Sequence, residues 1–346
     1  MDVSTVTPTK PPLATGPGIH EIEVAWKGRT LRAPSLEVEG KRIVVLGRWI
    51  REASVQDEEW VEGEVENPLQ VVASLKQNRL KADVFTFAQK IDNTEPRHRC
   101  HMEWDNAAAV PITSYEDWWE RRLPQVTRKN VRRGLKRGVT VRKVPFNDDL
   151  IQGIMSVQNE SPLKQGTLNV HYGKDFATVR RDYGSFLDRS EFFGAYFGTQ
   201  LIGFIKLVHI GPAASILNLS CMNSHYDKRP ANVLLAKVVE HCVERRLRYL
   251  LYGKYHYGNK TSNPLTEFKR RNGFEKILIP RYYVPLTSWG RVVVALRLYR
   301  GPIGLLPGWL ISILLAARSA ACRSLAQLKQ RDGTSSSPQE NTDEDR

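Results

Sequence analysis

Residues 192–211 read FFGAYFGTQLIGFIKLVHIG, and this stretch decides the fold. Two runs rich in aromatic and branched side chains flank Gly198-Thr199-Gln200, which predicts an antiparallel hairpin closed by a short turn. The run ASILNLSCMN at 214–223 follows closely and predicts a third strand. Three consecutive strands of this kind indicate a largely antiparallel sheet.

Downstream of these strands the pattern alternates between helix and strand. Residues 231–247 have apolar positions at helical spacing, and residues 248–258 form a strand-like run. Residues 263–274 predict a helix that ends at Gly273, and the apolar run at 277–286 predicts a closing strand. The order is a β-hairpin that leads into a βαβ unit, followed by one more helix and strand.

Upstream, residues 114–144 place Trp, Leu and Val at helical intervals among many Arg and Lys side chains, and Gly138 predicts the end of this helical stretch. Further amphipathic helices are predicted at 148–159 and 174–189. Residues 19–111 carry strand, helix and strand patterns, which indicate an α/β unit ahead of the main domain. The predicted fold class is α/β (α+β), with a central mixed, mostly antiparallel sheet flanked by helices.

The chain is basic, with a formal net charge of +14 at pH 7 and a pI near 9.7. That balance favours an anionic partner, which is a nucleic acid, an acidic lipid surface or a phosphorylated small molecule such as coenzyme A. The four cysteines are scattered, and no Cys or His pairs have metal-ligand spacing, so neither a disulfide framework nor a metal site is expected. The first eighteen residues lack the apolar segment of a secretory signal, so we expect a cytoplasmic location.

Three strings carry a resemblance to a known superfamily: TRKNVRRGLKRGVTVRKV at 127–144, YFGTQLIGFIKLV at 196–208 and LTEFKRRNGFE at 265–275. In this order they resemble the basic helix and strand that open a FemAB-like domain, the hairpin of GNAT acyltransferases, and the Gly-Phe element near the end of such domains. The chain thus resembles the GNAT superfamily and its FemAB-like branch, which includes acetyltransferases of polysaccharide gene clusters (CelD type). The resemblance implies a GNAT-like fold and transfer of an acyl or aminoacyl group to an amine.

With this resemblance the chain divides into five segments. We predict a disordered tail at 1–18, an N-terminal α/β region at 19–111 that is a candidate for a degenerate first GNAT-like half, the acyltransferase domain at 112–287, a basic amphipathic helical extension at 288–330 and a disordered tail at 331–346. The apolar run of the extension is broken by Pro307 and Gly308 and is too short for a membrane span of about 20 residues. Residues 303–328 fit either a helix on a membrane surface or a helix that caps the core.

GNAT enzymes use acetyl-CoA directly, without a covalent intermediate or a metal, and bind its pyrophosphate at a glycine-rich loop before a helix. The resemblance implies acetyl-CoA as co-substrate here, although the matching loop, HYDKRPAN at 225–232, contains no glycine. Free N–H groups and the helix dipole still attract an anion at a helix start, and the loop adds a Lys and an Arg. The predicted cofactor-binding residues are Ser220, Lys228, Arg229, Ala231 and Asn232.

Catalytic residues are expected at the end of the strand that borders the cleft, where GNAT enzymes often place a tyrosine as general acid. The string YGKYHYGN at 252–259 offers Tyr255, His256 and Tyr257 at this place. Strand alternation would direct Tyr255 and Tyr257 to one face and His256 to the other. Packing on the sheet is the alternative role for these aromatic side chains.

The polar stretch NESPLKQGTLNVHYGKDF at 159–176 is long for a connection within a compact domain, which favours a functional role. Glu160 is a candidate general base. The candidate substrate-binding residues are His171, Tyr172, Lys174 and, in the later loop, His225. A hydrated surface loop is the alternative.

Three functions stay open at this point. The leading hypothesis is an acyl-CoA-dependent N-acyltransferase acting on a small-molecule amine such as an amino sugar or amino acid, or on a peptide or glycan amine. One alternative is a FemAB-like transferase that takes its aminoacyl group from aminoacyl-tRNA and uses the basic helix around Arg132 and Arg133. The other is a non-catalytic module bound at a membrane surface.

Overall fold

A computed structural model describes residues 18–26, 29–164, 167–257 and 264–301. Within them, twelve strands form one mixed sheet and two short strands form a separate hairpin. The N-terminal tail up to residue 17, Gly258 and Asn259, and everything from residue 302 onward, which includes the predicted membrane-contact segment, lie outside the described residues. None of the helices in the described ranges is long and apolar enough to cross a membrane.

The elements follow one another with short connections. The strands are β1 (His20–Trp26), β2 (Arg29–Val38), β3 (Lys41–Leu46), β4 (Glu52–Val55), β5 (Val84–Ala88), β6 (His101–Pro111), β7 (Val139–Val144), β8 (Leu163–Lys164), β9 (Thr167–Leu168), β10 (Ser190–Phe197), β11 (Gln200–Ile210), β12 (Ala213–Cys221), β13 (Tyr249–Leu251) and β14 (Glu275–Pro285). The helices are α1 (Pro68–Gln77), α2 (Tyr115–Asp117), α3 (Gln125–Lys136), α4 (Asp148–Asn159), α5 (Phe176–Tyr183), α6 (Pro230–Glu244), α7 (Pro264–Arg271) and α8 (Ser288–Ala295).

The sheet order is β1-β2-β3-β4-β5-β14-β6-β13-β12-β11-β10-β7. At each edge, four strands are antiparallel to their neighbours, and the fourth of them pairs in parallel with a fifth. The parallel pairs are β4 with β5 on one side and β12 with β13 on the other. We call β1–β5 with α1 the first half, and β7, β10–β13 and α3–α7 the second half. The central strands are exchanged, because β6 follows β5 in the chain but pairs with β13, while β14 pairs with β5.

Each half has its own apolar core. In the first half Leu75 of α1 is buried against strand side chains that include Phe85. In the second half Ile154 of α4 and Leu234 of α6 are buried in one cluster with Phe204 of β11. Burial of β11 is continuous through its middle, which is the pattern of a strand covered on both faces.

Side-chain caps fix where several helices begin. Asn67, Asn147 and Asp175 each accept a hydrogen bond from a backbone N–H in the first turn of α1, α4 and α5, which satisfies one of the free donors of a helix start. Helix α6 starts differently. Arg229 precedes it in a left-handed conformation with φ of 55° and no side-chain cap, and Pro230 occupies its first position.

Several sequence predictions are confirmed by this arrangement. Strands β10 and β11 form the predicted antiparallel hairpin, with Gly198 at φ of 59° in its turn. Helix α4 covers 148–159 as predicted. The helix predicted at 174–189 is wrong in extent, because the Asp175 cap starts α5 at Phe176 and the chain leaves the helix at Gly184.

The strand predicted at 248–258 is also wrong in extent, since β13 has only three residues. Gly253 adopts a left-handed φ of 54°, which turns the following segment out of the sheet. Asn106 of β6 then accepts a 2.7 Å hydrogen bond from the backbone N–H of His256. Strand alternation therefore does not govern the orientation of Tyr255 and Tyr257.

Candidate active site

A gap opens in the sheet where β12 and β13 part. These parallel strands share three residue pairs, of which Ser215 with Leu251 is the last. Beyond this pair β12 continues to Cys221 and stays bonded to β11 on its other side, whereas β13 ends. The gap therefore lies between the later part of β12 and the segment 252–257.

Two ionisable side chains occupy the side of the gap that faces α7. The Nζ of Lys269 donates to the backbone oxygen of Lys254 at 2.6 Å and lies 4.7 Å from the ring centre of Tyr252 and 5.1 Å from that of Tyr257. Tyr252 in turn lies within electrostatic range of Cys221 on β12. Burial lowers the pKa of Lys269 to about 8 and raises the pKa of Tyr257 to about 12. At neutral pH the site holds a neutral phenol beside an amine that exchanges its proton readily.

Gly253 makes room for the Tyr257 hydroxyl. A Cβ atom at Gly253 would lie 2.5 Å from the Tyr257 Oη, closer than non-bonded atoms approach. The rest of the segment is anchored elsewhere, since the backbone oxygen of Tyr255 accepts from Thr266 and the His256 ring contacts the Tyr255 ring. Of the three predicted catalytic residues in this segment, Tyr257 is the one that the structure places against Lys269.

The start of α6, where the pyrophosphate site is predicted, has few free backbone donors. Pro230 has no N–H, and the N–H of Asn232 bonds to the Arg229 oxygen at 3.1 Å, which leaves that of Ala231 in the first turn. The Nε of Arg229 and the Nδ1 of His225 are buried without a hydrogen-bond partner. Buried polar atoms without partners are rare in proteins, and these two belong to the loop that leads into α6.

Helix α3 packs against the same loop. A Cβ at Gly134 would lie 2.7 Å from the backbone oxygen of Lys228, so only glycine permits this approach. The Lys228 ammonium lies 4.8 Å from the Phe197 ring centre, and the Asn232 side chain donates to that of Asn272 at 2.9 Å. The predicted donor-site residues on this loop are thus held by α3, β10 and α7. Ser220 lies across the gap on β12, paired with β11.

Glu160, the predicted base, acts here as an anchor. Its two carboxylate oxygens accept hydrogen bonds from the backbone N–H groups of Asn223 at 2.5 Å and Ser224 at 2.7 Å. It thereby fixes the loop that leads into α6 against the end of α4. The contact brings the predicted acceptor stretch and the predicted donor loop together.

The other predicted acceptor residues make contacts towards α5. Lys174 is paired with Asp182 at 2.7 Å, and its Nζ lies 3.5 Å from the Nδ1 of His171. The His171 ring is 6.1 Å from that of Tyr183, and Tyr172 is half exposed. These contacts join His171 and Lys174 to each other and to α5.

A cavity of about 360 Å³ was missed by the sequence analysis. Its walls come from both halves, with the acidic segment 58–66 on one side and the β11–β12 turn at 210–212 on the other. Seven acidic and three basic side chains line it, in a chain whose net charge is +14. The signal was present in the sequence as the run DEEWVEGEVE at 57–66.

Ion pairs neutralise some of the acidic side chains that line the cavity, such as Asp105, whereas others, such as Glu59, face solvent. Asp105 accepts from Lys254 at 2.8 Å and from Arg281 at 3.0 Å. Glu59 at the rim is exposed and lies within electrostatic range of both Tyr257 and Lys269. The cavity therefore adjoins the gap and presents a surface suited to a cation.

The scan against protein-family models and the search of curated proteins each found no match. The solved structures do include similar folds. One is the C-terminal domain (DUF2156) of a putative lysylphosphatidylglycerol synthetase from Agrobacterium fabrum, with a TM-score of 0.50, 14% identity, and coverage of 78% of this chain and 88% of that one.

Another is L-PGS from Bacillus licheniformis, with a TM-score of 0.50, 11% identity, and coverage of 77% and 88%. FemX matches with a TM-score of 0.48, 11% identity, and coverage of 81% and 90%. The protein has a GNAT-like fold. This confirms the predicted fold class. The fold alone fixes neither the activity nor the substrate, and both have to be argued from the site.

Proposed function

We propose that this protein is an N-acyltransferase that moves an acyl group, in the simplest case acetyl, from acyl-CoA to an amine. The observation that carries the proposal is the gap between β12 and β13, with Tyr257 and Lys269 beside it. Beyond Ser215, β12 pairs with β11 on one side and borders the gap on the other, so the backbone of residues 216–219 can bond an extended arm that contains amides. The pantetheine part of coenzyme A is such an arm.

In the proposed reaction the amine nitrogen attacks the thioester carbon, and the tetrahedral intermediate collapses with cleavage of the carbon–sulfur bond. Neutral Lys269 accepts the proton that the amine loses, and Tyr257 donates its hydroxyl proton to the leaving thiolate. The Lys269 ammonium then returns a proton to the Tyr257 phenolate, which restores both groups. With a pKa of about 8, a minor fraction of Lys269 is neutral at pH 7 and this fraction grows as pH rises, while the raised pKa of about 12 keeps Tyr257 protonated.

The phosphates of the donor are assigned to the start of α6. The buried Arg229 Nε and the helix dipole favour an anion there, although Pro230 removes one backbone donor. Isothermal titration with acetyl-CoA, with free CoA and ATP as comparisons, tests the assignment. We expect micromolar binding that is selective for the two CoA compounds.

The matched variants for this titration lie at the two ends of α6. Arg229→Glu should abolish acetyl-CoA binding, whereas Arg246→Glu, an exposed arginine with the same left-handed φ after the helix, should leave it unchanged. Absence of CoA binding by the folded wild-type protein would remove acyl-CoA as the donor. Equal losses in both variants would show a general charge effect and not a site.

The acidic cavity supports an acceptor that carries positive charge, such as a polyamine or a basic amino acid. Opposite charge at the rim raises the local concentration of such a substrate and orients its amine towards the gap. Glu59→Gln should raise KM for a polyamine several-fold and change KM for a neutral amine little. An equal effect on both substrates would contradict the assignment.

A second candidate donor, an aminoacyl-tRNA, is favoured by one face of α3. Lys129, Arg132, Arg133 and Lys136 follow the i, i+3, i+4, i+7 spacing that puts them on a single stripe. All four are exposed, and the ion pairs of this helix involve other residues. Such a stripe can neutralise several phosphates of a nucleic acid.

Salt dependence separates the two donors. If the donor is aminoacyl-tRNA, tRNA binding should weaken steeply with salt, and Arg132→Glu with Arg133→Glu should abolish it. The control is the double variant Lys76→Glu with Lys81→Glu, two exposed lysines of the first half. Binding of tRNA that is equal in both double variants would remove this candidate.

A further inference from the structure

A cluster of metal-ligand side chains lies apart from the gap. Glu191 of β10, His209 of β11 and His241 of α6 point their ligand atoms at one place, and all of these atoms lie within 4.8 Å of one another. The His209 Nε2 is 2.9 Å from the Glu191 Oε2, and the His241 Nε2 contacts the same oxygen. His209 of β11 and His241 of α6 thus converge on one carboxylate oxygen of Glu191.

The surroundings orient these three side chains. The other carboxylate oxygen of Glu191 accepts from Lys143 at 2.6 Å and from Arg245 at 2.5 Å, so the Oε2 is the oxygen left for the two histidines. The His241 Nδ1 lies 3.8 Å from a carboxylate oxygen of Glu244. A carboxylate near the second ring nitrogen is the usual outer partner of a metal-bound histidine, because it directs the opposite nitrogen to the metal.

We propose that Glu191, His209 and His241 bind a divalent transition metal, with Zn²⁺ as the best fit. Two imidazole nitrogens and one carboxylate oxygen are a common zinc ligand set, with water in the fourth position. The side chains are largely buried but not sealed, with exposures of 7%, 19% and 13%, which leaves an access path for water and the ion. The positive charges of Lys143 and Arg245 lower the affinity and compensate the carboxylate when the ion leaves.

The site serves structure and not the proposed chemistry. His241 lies in the last turns of α6, about 17 Å along the helix from Pro230, since each residue advances the helix by about 1.5 Å. A metal there fastens the end of α6 to the β10–β11 hairpin. The inference is therefore independent of the identity of the acyl donor.

Calorimetric titration of chelator-treated full-length protein with Zn²⁺, with Mg²⁺ as comparison, tests the proposal. We expect one Zn²⁺ per chain, no Mg²⁺ binding at the same concentration, and a loss of affinity of about 100-fold or more in His209→Ala and in His241→Ala. His101→Ala is the control, since His101 bonds to Tyr299 and lies on β6, which β13 and β12 separate from β11, so this variant should leave zinc binding unchanged.

A second measurement, made on the wild-type protein, tests the site even if the histidine variants fold poorly. Co²⁺ added to the wild-type protein should give the visible absorption of a four-coordinate site, and Zn²⁺ should displace it. Zinc binding that is unaffected by both histidine variants, or no zinc binding by the folded wild-type chain, would overturn the proposal. The three residues would then be a hydrogen-bond network in which the Nε2–H groups of the two histidines donate to Glu191.

Discussion

The two halves of the sheet follow the same order of strands from the edge inward but differ at the parallel pair. In the first half Ser54 is the last residue of β4 that pairs with β5, and β4 ends one residue later. Almost none of β4 therefore extends beyond the parallel pair. In the second half β12 runs six residues past Ser215, its last partner residue to β13. A difference in the length of one strand turns a closed sheet into one with a gap.

The helices that follow β4 and β12 also differ in how they begin. Helix α1 starts with a side-chain cap from Asn67, whereas α6 starts with Arg229 in a strained conformation and a buried polar atom without a partner. Strain and unsatisfied polar groups persist where a binding site uses them. The gap and the start of α6, on which the proposed reaction depends, both belong to the second half.

The largest expected effect distinguishes the partly exposed Tyr257 from the fully buried Tyr282 of β14. Tyr257→Phe removes the proposed proton donor and should lower kcat about 10²- to 10⁴-fold with little change in unfolding free energy. Tyr282→Phe removes hydrogen bonds with Gln89 and the Arg97 N–H and should cost about 1–3 kcal/mol of stability with kcat retained. Steady-state kinetics and urea unfolding measure both, and a reversed outcome would contradict the catalytic role proposed for Tyr257.

Buried ionisable side chains have different kinds of partner in the two halves. Asp83 is paired with Arg51 at 2.8 Å, whereas Lys206 donates to the backbone oxygens of Tyr183, at 2.8 Å, and Ser185. Burial lowers the pKa of Lys206 to about 7 from 10.5. Between these values the unfolded chain binds more protons, so Lys206 makes the unfolding free energy rise with pH from about 7 to 10.5.

Lys206→Met should remove that contribution. Urea unfolding at pH 6.5 and pH 9 should show a smaller rise with pH in the variant than in the wild-type protein, while other titrating groups such as Lys269 act in both. A difference in stability between the two proteins that is the same at both pH values would contradict the lowered pKa.

Two helical glycines test how closely α3 approaches the donor loop. Gly134→Ala should cost about 1–3 kcal/mol, because its Cβ would meet the backbone oxygen of Lys228, which cannot turn away. Gly153→Ala meets only the side chain of Leu201, which can shift, so its cost should be smaller. Equal unfolding free energies for the two variants would show that the loop before α6 can shift to make room for the added methyl group.

The smallest expected effects concern the two helix starts. Asn67→Ala should cost about 1 kcal/mol, since it removes a cap. Arg229→Gly should stabilise the protein by up to about 1 kcal/mol, because glycine adopts a positive φ without strain, while CoA binding falls. Thermal unfolding with and without acetyl-CoA measures both, and a destabilised Arg229→Gly variant would show that the strain is absent.

The parts of the fold that depend on local patterns could be predicted from the sequence. The β10–β11 hairpin and α4 follow from the spacing of apolar residues and from Gly198. The end of β13 could not be predicted, since the turn at Gly253 is fixed by Asn106, which is distant in the chain. Local spacing carries no information on such a contact.

The candidate site was predictable in part for the same reason. Tyr257 was found because it follows a strand-like run, but Lys269 was read only as part of the resemblance to the Gly-Phe element. Its burial beside Tyr257 depends on the packing of α7. Likewise the cavity is closed by a 2.9 Å hydrogen bond from the Gly211 N–H to Glu62, two residues in different halves.

The exchanged central strands affect how the protein is made. Strand β6 is completed at Pro111, whereas β14, which pairs with it over nine residues, begins only at Glu275. At a synthesis rate of about 5–20 residues per second, the ribosome needs about ten to thirty seconds to deliver the second strand. Throughout that interval β5 and β6 present bare hydrogen-bonding edges in the cell. We therefore expect the nascent chain to depend on a chaperone until residue 285 has left the exit tunnel.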